Sequence, residues 1–242
     1  MFNENVGFVT VRSSSTRLPG KCFLKLGKLD VISHVIKRAR NYNLIPIVCT
    51  SDSKDDDKIV EIAKDLSCDF FRGPLNNKLL RWSLCCEHFK LKKFHTLDAD
   101  NPYFCGEEVI RSLNMLDKGF DLIEETETSA NGGATMGFSM TRNIIKKVVN
   151  KTNPSTNTDD IMVYFKKIKN LKKTMLSEPD ISVVKDRMTL DYYEDYILLQ
   201  SITHILGNMA TRHEIFDFFR NNPDISKINK FRTEHFKQNK NQ

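Results

Sequence analysis

The chain has 242 residues, a size that one α/β domain with a short helical extension fills, and its 40% hydrophobic and 28% charged composition excludes a disordered polymer. Its net charge of +6 admits a nucleic-acid surface, but the basic residues gather at 166–173 and 227–240 without a recognisable binding module, so no nucleic-acid partner is expected. No apolar run approaches the ~18 residues of a membrane span, and Met1 leads through Asn3, Glu4 and Asn5 without a signal peptide's basic flank, so a cytoplasmic protein without membrane insertion is expected.

The run GFVTV within residues 6–11 predicts a strand that feeds a polar loop, RSSSTRLPGK, at 12–21. From Asp30, the pattern VISHVIKRA sets Val31, Ile32, Val35, Ile36 and Ala39 at helical spacing, with Asp30 as an N-cap. IPIVCT at 45–50 reads as a buried strand, and SDSKDDDKIVEIAKDL from Ser51 as a helix whose acidic first turn suits its dipole. A short strand at 68–71, a helix at 78–89, a strand at 94–97 and a helix at 107–116 continue the alternation. This βαβα rhythm predicts a mainly parallel central sheet covered by helices. Beyond residue 120 the expected elements are strands at 121–125, 132–139 and 181–190, helices at 142–151 and 193–206, and a helical tail at 213–236 broken at Asn222 and Pro223. The six cysteines, Cys22, Cys49, Cys68, Cys85, Cys86 and Cys105, lack C-x-x-C spacing and read as small buried hydrophobes in a reducing compartment.

Open parallel sheets bind ligands at the carboxyl ends of their strands, and two segments stand there. In the first, residues 12–21, three serines, Gly20 and the cations Arg12, Arg17 and Lys21 directly follow a strand. Backbone amides and cations in such a loop can cradle phosphates, although the Walker spacing is missing and a merely solvated turn accounts for the residues equally well. The second is HTLDADNPYF, where Asp98 and Asp100 are two apart on an extended segment and can share a face to hold a divalent ion. Turn-forming, capping aspartates are the alternative.

The sequence VRSSSTRLPGK resembles the opening signature of the bacterial cytidylyltransferases of surface-polysaccharide synthesis, the acylneuraminate and 3-deoxy-manno-octulosonate cytidylyltransferases. It is most similar to their spore coat polysaccharide branch, whose S-T-R-L-P-G-K ending is matched by Ser15, Thr16, Arg17, Leu18, Pro19, Gly20 and Lys21. FRGPLNNKLLRW, LDADNP, MTLDYYEDYILLQSI and HEIFDFFRNNPDISKIN resemble later segments of that branch in order. Departures from the pattern are Asn77 in place of an acidic residue, Ala99 in place of a glycine, NGGATMGF from Asn131 at the acceptor segment, and Asp159 and Asp160 in place of an E-H pair.

The resemblance implies an α/β nucleotide-diphospho-sugar transferase fold of GT-A type, as a nucleotidyltransferase domain over 1–212 with a C-terminal helical extension over 213–242. It implies transfer of CMP from CTP to a sugar acid or a sugar-like phosphate or phosphonate for surface glycan synthesis, with Mg2+ as cofactor and a homodimer as the assembly. Arg12, Arg17 and Lys21 take the catalytic roles; Val11, Arg12, Ser13, Ser14, Ser15, Gly20, Lys21, Arg72 and Asp98 are expected at the nucleotide; Asp100 and Asp191 are the expected metal ligands. Another base, as in a guanylyltransferase acting on a sugar 1-phosphate, and a noncatalytic nucleotide-binding relative are the alternatives. Two carboxylates brought together without a cation repel, so loss of Asp100 or Asp191 is expected to leave the fold intact or slightly more stable. His95 is expected to be a packed residue, and Trp82 and the phenylalanines Phe216, Phe218 and Phe219 to pack in a core or a dimer contact.

Overall fold

Alternation along the first strand sorts its side chains onto two faces. In β1 (Val6–Thr10), Val6 and Phe8 enter one hydrophobic cluster and Val9 enters another. The same division holds in β4 (Ile45–Ser51), where Ile47 and Cys49 face one way and Val48 the other, and in β6 (Lys93–Asp98), where Phe94 and Leu97 are opposed. Strands apolar on both faces need cover on both, which is why helices flank the sheet. These relationships come from a computed structural model that describes residues 5–130, 137–179 and 183–233.

In chain order the small hairpin β2 (Lys25–Leu26) and β3 (Leu29–Asp30) follows β1 and leads into α1 (Val31–Asn41). Asp30 caps α1 as expected, its carboxylate accepting from Ser33 N at 2.8 Å. After β4 come α2 (Asp57–Asp65), β5 (Asp69–Gly73) and α3 (Lys78–His88); after β6 come α4 (Gly106–Leu116), β7 (Leu122–Glu124) and α5 (Glu127–Ala130). The remainder holds β8 (Ser139–Thr141), α6 (Arg142–Val149), α7 (Met162–Phe165), β9 (Lys173–Met175), α8 (Tyr193–Leu206) and α9 (Arg212–Asn221).

The main sheet runs β5-β4-β1-β6-β8-β7-β9. β5, β4, β1 and β6 are mutually parallel, β8 is antiparallel to both β6 and β7, and β9 returns parallel to β7. Helices α1, α2 and α4 pack on the face of Val9, Val48 and Leu97; α3, α6 and α7 pack on the face of Phe8, Ile47 and Phe94. The expected mainly parallel sheet with helices on both faces is therefore present. A third cluster joins α8 and α9 to Leu26, Val31, Tyr103 and Leu190. Phe218 and Phe219 are buried in it, so the aromatic side of the tail helix packs within the chain.

The expected strand at 181–190 does not form among its described residues, 183–190. Val184, Met188 and Leu190 instead turn into the third cluster, and Leu190 N donates to Asp100 O at 2.7 Å. β9 is not foreseen from the residues, because an exposed edge strand carries no buried alternation. For the irregular strand expected at 132–139, residues 131–136 lie outside the described residues, and β8 begins at Ser139. All six cysteines are buried and free, and among the described residues no helix is long and apolar enough to cross a membrane.

Candidate active site

β1 and β6 lie side by side with Thr10 opposite Asp98, so the loop leaving β1 and the turn leaving β6 rise from one end of the sheet. They bound a cleft of about 1190 Å³ lined by Val11, Arg12, Ser14, Ser15, Arg17 and Lys21 from the first segment and by Asp98, Ala99 and Asp100 from the second. This is the crevice at the strand carboxyl ends that an open sheet offers a ligand.

Asp56, ahead of α2, anchors the loop. Its Oδ1 accepts from Ser13 N at 2.8 Å and from Ser13 Oγ at 2.7 Å; its Oδ2 accepts from Thr50 Oγ1 at 3.0 Å, Ser51 N at 3.2 Å and Ser51 Oγ. Burial pushes this carboxyl upward, but the hydrogen bonds from Ser51, Ser13 and Thr50 outweigh it and hold Asp56 below the usual carboxylate value. Ser13 is thus a loop anchor. Gly20 has φ +65, a left-handed conformation that suits glycine, and it swings the chain into the turn Lys21–Phe23.

That turn carries Lys21 to the centre of the site. Its Nζ donates to Asp100 Oδ2 at 2.8 Å, Asp191 Oδ1 at 2.9 Å and Leu190 O at 2.9 Å. Arg17 Nη2 donates to the same Asp191 Oδ1 at 2.8 Å, while Arg187 Nη2 lies 3.4 Å from Asp191 Oδ2. Burial alone would raise Asp191, but Lys21, Arg17 and Arg187 together lower it; burial alone would lower Lys21, but Asp100 and Asp191 together raise it. Lys21 and Asp191 are therefore both charged at neutral pH. Asp98 ends β6 as a half-buried side chain, lifted to about 6 by burial and next by Asp100, against the pull of Lys78, Lys21 and Arg81.

Two predicted nucleotide residues stand apart from this centre. Arg72 clamps the turn between β4 and α2, donating to Ser51 O at 3.0 Å, Asp57 Oδ1 at 2.6 Å and Ser53 O at 2.6 Å, and it does not line the cleft. Arg12 lines the cleft but pairs with Asp159 at 3.3 Å, and Asp159 and Asp160 form part of the same wall. Trp82, expected in a core, is buried and also lines the cleft, its Nε1 donating to Thr10 Oγ1 at 3.0 Å. Asn77, standing where an acid was expected, caps α3 by accepting from Leu80 N at 2.9 Å. His95 is packed as expected, with Nδ1 2.8 Å from Ser139 Oγ, and burial lowers it to about 3.

Sequence reasoning missed Asp56, Lys78 and Arg187. Asp56 is one of three consecutive aspartates, and nothing in the run marks which of them turns inward. Lys78 lies within the FRGPLNNKLLRW segment at a position that segment's resemblance does not single out, and Arg187 precedes the later motif; only the folded chain brings Lys78 to the cleft and Arg187 to Asp191.

Among the described residues no cluster of three or more His, Cys, Asp or Glu is gathered for a metal. What converges is a pair of carboxylates around a cationic side chain, so Lys21 stands in for a cation between Asp100 and Asp191. Magnesium commonly takes one or two protein carboxylates and completes its shell with waters and substrate phosphates. The donor set fits such an ion once Lys21 turns from the carboxylates toward a phosphate.

Residues 6–225 match the family model described as Cytidylyltransferase. An uncharacterised protein of Methanocaldococcus jannaschii is 27% identical over 232 residues, covering 93% of each chain. A cytidylyltransferase of Leptospira borgpetersenii superposes with a TM-score of 0.76 at 20% identity, over 91% of this chain and 95% of that one. CMP:2-keto-3-deoxy-manno-octonic acid synthetase, solved in complex with CTP, superposes with a TM-score of 0.62 at 11% identity, over 84% and 99%. At these identities the solved structures speak to the fold alone.

Proposed function

The chain belongs to the cytidylyltransferase family, and from that premise we propose that it is a magnesium-dependent enzyme transferring CMP from CTP to an acidic sugar or a sugar-like phosphate or phosphonate in surface glycan synthesis. The observation that carries the reading is the Lys21 ammonium held between Asp100 and Asp191 beside Arg17, at the carboxyl ends of β1 and β6.

In this reading the acceptor oxygen attacks the α-phosphorus, a new P–O bond forms, and the bond to the β-phosphate breaks to release pyrophosphate. Little covalent chemistry falls to the protein, whose work is positioning and charge neutralisation. The 12–21 loop, anchored through Ser13 on Asp56, covers the triphosphate with its backbone amides. Lys21 and Arg17 exchange their carboxylate partners for phosphate oxygens and hold the departing pyrophosphate. Asp100 and Asp191 hold the magnesium ion, whose contribution when bound is to lower the charge on the phosphates and orient the acceptor. Lys78, Lys166 and Lys173 also line the cleft and suit an acceptor that is itself acidic.

The test is pyrophosphate release from each of the four nucleoside triphosphates with magnesium, across a panel of acidic sugars, sugar phosphates and phosphonates. The reading expects release with CTP and at least one acidic acceptor. Release with GTP and a neutral sugar 1-phosphate, and none with CTP, contradicts it.

A further inference from the structure

One buried carboxylate organises the segment that carries Asp191. Asp195, in the first turn of α8, accepts five hydrogen bonds: from Arg187 Nε at 2.8 Å, Arg187 Nη2 at 3.0 Å, Asp191 N at 2.9 Å, Tyr192 N at 2.9 Å and Asn229 Nδ2 at 2.9 Å. Asn229 Nδ2 also donates to Arg187 O at 3.0 Å. Arg187, Asp195 and Asn229 are all buried. Arg187 in turn reaches Asp191 Oδ2 at 3.4 Å, so one guanidinium spans both carboxylates. A second tail contact reinforces the first: Arg232 donates to Glu194 at 3.0 and 2.8 Å, and its guanidinium lies 4.5 Å from the centre of the Tyr192 ring.

A buried ion pair of this kind adds little stability over a well-packed apolar replacement, because desolvating both charges offsets their attraction. Its distinctive product is geometry. The backbone amides of Asp191 and Tyr192 are fixed, one Asp191 oxygen is held toward Arg187, and the other meets Lys21 and Arg17, which line the cleft. The element closing this arrangement, Asn229, follows the short helical turn Ile225–Ile228, far along the chain from the loop it fixes.

We infer that Asn229, Asp195 and Arg187 are positioning residues for nucleotidyl transfer, so that the C-terminal tail is a working part of the active site through its hold on Asp191. The inference rests on the proposed function in one respect, that Asp191 serves a metal–nucleotide complex. Groups that hydrogen-bond a metal's ligands typically change metal affinity or activity by ~10–100-fold when removed.

The experiment measures manganese binding by electron paramagnetic resonance, with an unreactive CTP analogue present, on wild type, Asn229→Ala, Arg187→Lys and Lys227→Ala. Lys227 belongs to an exposed tail pair with Asp224 and serves as control. Asn229→Ala is expected to weaken manganese binding by ~10-fold or more with a melting temperature close to wild type. Arg187→Lys, which keeps the charge but loses the fork that spans two carboxylates, is expected to do the same, and it carries the test if Asn229→Ala fails to fold. In turnover, kcat is expected to fall more than the KM for CTP rises, and Lys227→Ala to match wild type. Wild-type manganese affinity in both Asn229→Ala and Arg187→Lys overturns this inference alone. A wild-type protein that takes up no manganese with any of the four nucleotides overturns the proposed function together with it.

Discussion

Asp100 and Asp191 meet at a single atom, the Lys21 Nζ, which lies 2.8 Å from one carboxylate and 2.9 Å from the other. Sequence reasoning treats the two as a repelling pair whose loss relaxes the fold, but the ammonium between them reverses the sign. Asp191 is buried and tied to Lys21, Arg17 and Arg187, so Asp191→Asn removes the buried charge that all three share and leaves Lys21 with Asp100 and Arg187 with Asp195 alone. Urea unfolding is expected to show a loss of about 3 kcal/mol, the scale for breaking a buried pair. A variant as stable as wild type contradicts this placement.

Lys21 itself is expected to matter more for rate than for folding. Removing a group that meets developing charge on a transferring phosphoryl unit costs ~100-fold or more in turnover. Steady-state pyrophosphate release by Lys21→Ala, compared with wild type at saturating CTP, measures it. Near-normal turnover in the folded variant removes the 12–21 loop from the mechanism.

The Asp56 anchor makes a pH-dependent contribution. Its folded-state pKa is depressed, so the stability it confers is present above the ordinary carboxylate value and is lost as pH falls through the folded value. Asp56→Asn is expected to cost about 2 kcal/mol at pH 7, because several donors lose a charged acceptor. The difference from wild type is expected to shrink below about pH 4, where the unfolded chain's aspartates protonate. Thermal melts of both proteins from pH 7 to pH 3 decide it, and a difference that persists unchanged at pH 3 contradicts it.

Two histidines are held neutral. His34 Nε2 donates to Pro102 O at 3.0 Å while Nδ1 accepts from Asn208 Nδ2 at 2.9 Å, and burial first, then Arg38, lowers it to about 3; His95 is lowered to about 3 by burial. Unfolding below pH ~6.5 lets each take up a proton, so stability is expected to rise with pH by up to about 1.4 kcal/mol per unit per histidine in that window. Urea titrations at pH 5, 6 and 7 test this. Equal midpoints at all three contradict it.

Much of this architecture is legible in the chain because its first half obeys local rules. β1, β4 and β6 are short apolar runs, Asp30 caps α1, and the loop after β1 carries its cations in one stretch. Asp100 and Asp191 stand in motif segments far apart in the chain and are joined in space by Lys21. The parts that stayed hidden depend on contacts between distant segments. Arg72 sits in a motif yet spends its guanidinium on the turn at Ser51 and Ser53, and Asp195 resembles an ordinary first-turn acid until Arg187 and Asn229 close on it. Residues 183–190 alternate like a strand, but their apolar members serve the cluster of α8 and α9, which periodicity alone does not distinguish from a sheet face.

The most direct test compares wild type with Asp98→Asn, Asp100→Asn and Asp191→Asn for CTP-dependent pyrophosphate release as magnesium is varied. Lys21 bonds Asp100 and Asp191, so these two are expected to be the carboxylates that serve the triphosphate. Asp100→Asn and Asp191→Asn are expected to abolish turnover at every magnesium concentration while Asp98→Asn keeps most of it. An inactive Asp98→Asn beside active Asp100→Asn and Asp191→Asn contradicts it.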